Sequence, residues 1–139
     1  MNDAAIVARQ VALLYRNIGF GQAISVINAA LLAWLWHDRV GLEAAALWGA
    51  TVVIVAGSHT VVAQKYRWAD PVRRDADRFW LRAALAGAAL GGAVWAAGAL
   101  LFMRGGDTVQ LIFTAFVMAG MVAGAVPILA PHRLAFRLY

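Results

Sequence analysis

Charged side chains fall in clusters along this chain and leave four long stretches, residues 17–36, 44–64, 83–103 and 108–131, without a single Asp, Glu, Lys or Arg. An apolar helix of about 20 residues at 1.5 Å rise crosses a hydrocarbon core of roughly 30 Å, so the pattern predicts four transmembrane helices. Ahead of the first span, Asp3, Arg9 and Arg16 are spaced along a short amphipathic helix. The fold class expected is all-α: an integral membrane bundle of four transmembrane helices. Residues 1–139 form one transmembrane domain with a central loop at 65–82.

Hydrophobic residues make up 63% of the 139 positions and charged ones 14%, too apolar for a soluble domain of this size. No short apolar run with a small-residue cleavage site precedes Asn17, so the first span is expected to be retained. Without cysteine, disulfides, thiolate metal sites and a Cys nucleophile are excluded.

Ten of the twelve Lys and Arg residues belong to the amino-terminal segment, the 65–82 loop and the carboxyl-terminal tail; only Arg39 and Arg104 belong to the two short turns at 37–43 and 104–107. Basic loops stay on the cytoplasmic side, which predicts cytoplasmic amino and carboxyl termini. The net charge of +5 is then accounted for by topology and anionic lipid, and nucleic acid is not an expected partner. Trp34, Trp36 and Trp48 are expected to ring the outer interface with Trp95 a little deeper, and Tyr15, Tyr66, Trp68 and Trp80 the inner one. In the central loop, Asp70 before Pro71 reads as an N-cap followed by a first-turn proline, predicting a short helix that leads into the third span.

Lipid gives little hydrophobic drive for helix association, so close approach depends on small side chains. Thirteen of the seventeen residues from 83 to 99 are Gly or Ala. Gly87 with Gly91, the row Ala84, Ala88, Gly92 and Ala96, and Gly120 with Gly124 are the candidate packing faces. They predict a buried third span, whose neighbours are helices of this chain, of a second copy or of a partner protein.

Polar residues inside spans are the candidate functional groups, because an unpartnered polar group in hydrocarbon is costly. Gln22, Ser25 and Asn28 recur every three residues on the first span, and His59 lies at matching depth on the second. They predict an interhelical polar clamp or a ligand-binding or proton-sensing histidine, and His59→Ala is expected to loosen the two helices. His132 is the one histidine placed to join His59, and no His-x-x-His or carboxylate partner points to a metal, so neither metal nor cofactor is expected. Gly105, Gly106 and Asp107 read as a turn between spans, and Pro127 as a bend or stop in the fourth. No phosphate-cradling loop, nucleophile elbow or paired carboxylates appear, so no enzyme activity is expected.

The segment Leu14-Tyr15-Arg16-Asn17, the run from Phe116 to Pro127 and the tail from Arg133 to Tyr139 resemble the amino-terminal membrane regions of bacterial signalling proteins. In that group a multi-span sensor or anchor precedes diguanylate cyclase (GGDEF), phosphodiesterase (EAL), PAS or histidine-kinase modules. The resemblance covers nearly the whole chain and carries over no catalytic residue. It implies a sensory or anchoring domain in the bacterial inner membrane, continuing beyond Tyr139 into further spans and an output domain or acting through a partner. The other function expected from these residues is an accessory subunit of a respiratory or photosynthetic membrane complex, docked through its glycine faces.

Overall fold

The computed structural model describes residues 3–16, 18–70, 78–129, 137 and 139. They form five helices: α1 (Asp3–Arg16), α2 (Ile18–Val40), α3 (Leu42–Trp68), α4 (Arg78–Phe102) and α5 (Thr108–Leu129). No strand occurs among the described residues. α2 to α5, at 23, 27, 25 and 22 residues, are about 33–40 Å long and apolar enough to cross a membrane. The protein is a multi-pass helical membrane protein.

α2 packs most extensively against α3; α3 against α4, α4 against α5 and α5 against α2 complete a ring, and α2 touches α4 across it. α1 folds over the basic end of the bundle against α2, α4 and α5. It buries Val11, Leu14 and Tyr15 and leaves Arg9 and Arg16 exposed, the one-sided pattern of an amphipathic helix.

The connections differ from the sequence expectation. The turn expected at 37–43 contracts to Gly41 alone, because His37, Asp38 and Arg39 continue α2 into the interface, where their side chains need no loop. Gly41 has φ +87°, a conformation that side chains with a Cβ resist. The second turn holds Gly105 at φ +82°. It ends in a reciprocal cap: the Gln110 N–H donates to Asp107 Oδ1 at 2.8 Å, and the Asp107 N–H donates to Gln110 Oε1 at 3.3 Å. α3 runs four residues past the expected end of its span, so Lys65 and Arg67 stand on a helix and not in a loop. The helix expected from Pro71 lies outside the described residues up to Arg78.

The aromatic side chains correct the expected interfacial rings. Trp36, Trp48 and Trp95 turn inward with Phe102 to form the main core. Trp48 stands edge-on to Trp95 and to Phe102, with ring centroids 5.5 and 4.8 Å away. The reason is that each indole N–H finds an acceptor inside the bundle. Trp36 donates to Thr114 Oγ1 at 2.8 Å, Trp48 to the Val94 carbonyl at 2.9 Å, and Trp95 to Ser25 Oγ at 3.0 Å. Trp34, 73% exposed, keeps the expected lipid-facing position.

At the basic end, Tyr15, Tyr66 and Trp80 form a second cluster. The tyrosine rings stack at 4.3 Å, and the Tyr15 hydroxyl donates to the Trp80 carbonyl at 3.0 Å. Burial, and secondarily the Tyr66 phenol, push the Tyr15 hydroxyl up to about 12 from its ordinary 10.0. An acid whose folded pKa is raised contributes stability below its unfolded pKa and loses it as pH climbs through the folded value. Melting temperature should therefore fall between pH 10 and pH 12 more steeply in the native protein than in Tyr15→Phe. Parallel profiles would show that ionisation of Tyr15 is not linked to folding.

Candidate functional site

The small residues of α4 and α5 leave space that no side chain fills. Between the core and the α1 cluster lies a cavity of about 550 Å³. Gly87, Ala88 and Gly91 form its α4 wall, and Gly120, Gly124 and Ala125 its α5 wall. Leu14 and Tyr15 of α1 close the basic end, and Trp95 closes the end toward the core.

Packing is tight on one side of this cavity and open on the other. In the half of the bundle remote from α1, α2 and α5 are joined by Trp36 to Thr114, by Asn28 Nδ2 to Met121 Sδ at 3.2 Å and by Gln110 Nε2 to the Leu35 carbonyl at 3.4 Å. Toward the basic end the facing positions are Gly120 and Gly124 on α5 and the exposed Phe20 and Ile24 on α2, all of which line the cavity. The opening thus faces the surrounding lipid between α2 and α5.

The expected polar residues are brought near one another but not into a clamp. Gln22, Ser25 and His59 line the same cavity. Ser25 accepts from Trp95 on α4, and Asn28 donates to Met121 on α5, so both tie α2 to helices other than α3. Ser58 and Thr60, beside His59, bond back to the α3 carbonyls of Val55 and Ala56 at 2.7 and 2.9 Å. His59 Nε2 is buried without a hydrogen-bond partner among the described residues. Losing His59 therefore does not break an α2–α3 bond, and His59→Leu is expected to leave the melting temperature unchanged or raise it, since an orphaned buried polar atom is removed.

α4 behaves as the expected buried span. A Cβ added to Gly87 would lie 3.0 Å from His59 Nε2, one on Gly91 would contact His59 and Tyr139, and one on Gly92 would collide with the Tyr139 backbone. Gly120 and Gly124 differ: an added Cβ on either meets nothing within 4 Å. Among the described residues, these two small positions pack against no other helix.

Among the described residues no three His, Asp or Glu side chains are grouped to hold a metal, and His132 lies outside them. Among the described residues, the cavity lining contains no Lys, Arg, Asp or Glu. Its described polar groups are an imidazole, an amide, the Ser25 hydroxyl, the Trp95 indole N–H and the phenols of Tyr15 and Tyr139. Thr114 and Met121, which complete the internal hydrogen bonds, carried no pattern in the sequence that distinguishes them from other span residues. A scan against protein-family models and searches of curated proteins and of solved structures find no match for this chain.

Proposed function

We propose that this chain is a membrane-embedded sensory or anchoring domain of a bacterial signal-transduction protein, non-catalytic in itself and located in the inner membrane. The observation that carries the proposal is the uneven packing of the bundle. The half remote from α1 is held by three indole hydrogen bonds, whereas the basic half encloses the cavity and leaves Gly120 and Gly124 unpacked. The Tyr15, Tyr66 and Trp80 cluster ties α1, α3 and α4 at the basic end, so the open part is the seam between α2 and α5. A seam held at one end and open at the other has two arrangements available, which a ligand or lipid biases by binding one better. The basic distribution puts that end on the cytoplasmic side, where an output module is coupled. The resemblance of the first-span entry, the fourth span and the tail to sensor regions of signalling proteins supports the same reading.

Paired spin labels test the uneven packing. The chain has no cysteine, so Cys pairs are introduced cleanly at the exposed positions Trp68 with Val126 near the basic end and Leu42 with Val109 near the other. A broad or bimodal distance distribution is expected for the first pair and a narrow one for the second. Equally narrow distributions would overturn the two-state mechanism.

One observation favours the accessory-subunit reading instead: Gly120 and Gly124 share an exposed face of α5 with Phe116. Stoichiometric membrane subunits that co-purify in mild detergent and are lost from a Gly120→Leu variant would establish that reading.

A further inference from the structure

We propose that the cavity is a binding site for an uncharged, membrane-soluble molecule with a long apolar chain and a single hydroxyl or carbonyl head, held by a hydrogen bond to His59 Nε2. This names a stimulus class for the sensor reading and rests on that reading only for the consequence of binding.

The volume of about 550 Å³ falls within the roughly 300–1,000 Å³ typical of small-molecule sites. A charged head is disfavoured because the described lining residues offer no side chain of opposite charge, and an unpaired ion in a low-dielectric wall is strongly penalised. A wholly apolar occupant leaves His59 Nε2 without a partner. The other polar groups with protein contacts are already engaged: Trp95 Nε1 on Ser25 and the Tyr15 hydroxyl on the Trp80 carbonyl. Gln22 and Tyr139 also line the cavity, but the imidazole nitrogen is the fully buried polar atom without a partner among the described residues, and it serves a hydroxyl or a carbonyl according to its tautomer.

Polarity along the cavity has the direction of a bilayer lipid. His59 lies six residues before Lys65, about 9 Å inward from that charged side chain. Val52, which also lines the cavity, lies seven residues and about 10 Å further from the basic end, beside Val94 and Trp95. A head at His59 therefore sits near the interface while its chain runs toward the core. Entry is lateral, through the gap past Gly120 and Gly124, where an added Cβ meets none of the described residues within 4 Å.

The full chain in nanodiscs of neutral phosphatidylcholine is exposed to hexadecanol carrying a mid-chain diazirine, or to the matching hexadecane without the hydroxyl. Light-induced adducts are then mapped by mass spectrometry. Saturable labelling is expected at Val55, Met121 and neighbouring lining positions. The hydroxyl probe should be favoured about fivefold, the ratio that one net hydrogen bond supplies. His59→Leu should bring that ratio to about one without lowering the melting temperature, and Gly124→Phe should abolish labelling by both probes. Non-saturable adducts spread over lipid-facing positions such as Val109 and Phe116 would overturn the proposal, as would a head-group preference unchanged in His59→Leu. Labelling can fail while the spin-label distances stay bimodal, so this test and that of the sensor mechanism fail separately.

Discussion

Gly98→Ala is expected to destabilise the bundle, although alanine is the better helix former by roughly 0.5–1 kcal/mol. A Cβ at Gly98 would stand 2.6 Å from the Trp48 ring. That ring has nowhere to retreat: Trp95 and Phe102 meet it edge-on, and its N–H is committed across the helix interface to the carbonyl of Val94, one turn before Gly98 on α4. Overpacking of this kind costs about 1–3 kcal/mol, and stranding the indole N–H about 1–3 more. Strain therefore outweighs propensity, and Gly98→Val should be worse still. Gly120→Ala provides the opposite sign. With open space around its Cβ, it gains helix propensity and adds no collision. Thermal melts in one detergent should place Gly98→Ala below, and Gly120→Ala at or above, the native protein. The same sign for both would mean that Trp48 is not held as described.

The second large effect belongs to Trp36. It is fully buried, with 0% exposure, and lies between the Gly105–Gly106 turn, Phe102 and Thr114. In a membrane the loss on truncation is not burial from water, because lipid is as apolar as the core; what disappears is dense packing and the contact joining α2 to α5. Trp36→Ala leaves an indole-sized void and is expected to cost about 3–5 kcal/mol. Trp36→Phe should cost far less. Thr114 still donates to the Gln110 carbonyl at 2.8 Å and so keeps one partner when the indole N–H is gone. A ranking of melting temperatures with phenylalanine close to native and alanine far below checks this. If the two variants were equally damaged, the hydrogen bond and not the packing would be holding α2 to α5.

The four spans were legible because absence of charge over some 20 residues has one common physical meaning, and helix length follows from it. The buried third span was legible for a related reason: glycine and alanine at that density fit only where a neighbour comes close, and α4 does receive His59 and Trp48 at Gly87 and Gly98. Tryptophan orientation was not legible. An indole is satisfied both at a lipid interface and inside a bundle that offers an acceptor, and nothing local to Trp36 indicates that Thr114, 78 residues away, supplies one. The polar face of α2 was found, but its partners were misassigned. Helical spacing places Gln22, Ser25 and Asn28 on one side, whereas whether that side meets α3, α4 or α5 depends on bundle rotation, which periodicity does not encode. The cavity was invisible for a further reason: it is the volume left by small residues of two consecutive helices, and whether their small faces pack together or stand apart depends on the same bundle rotation.

Gly41 is the whole of the link between α2 and α3, and its backbone angle is one that glycine adopts readily. With no slack between them, these two helices are expected to enter the bilayer together as one hairpin, the tilt of each dictating that of the other. Lengthening this junction by a few flexible residues would turn one insertion event into two.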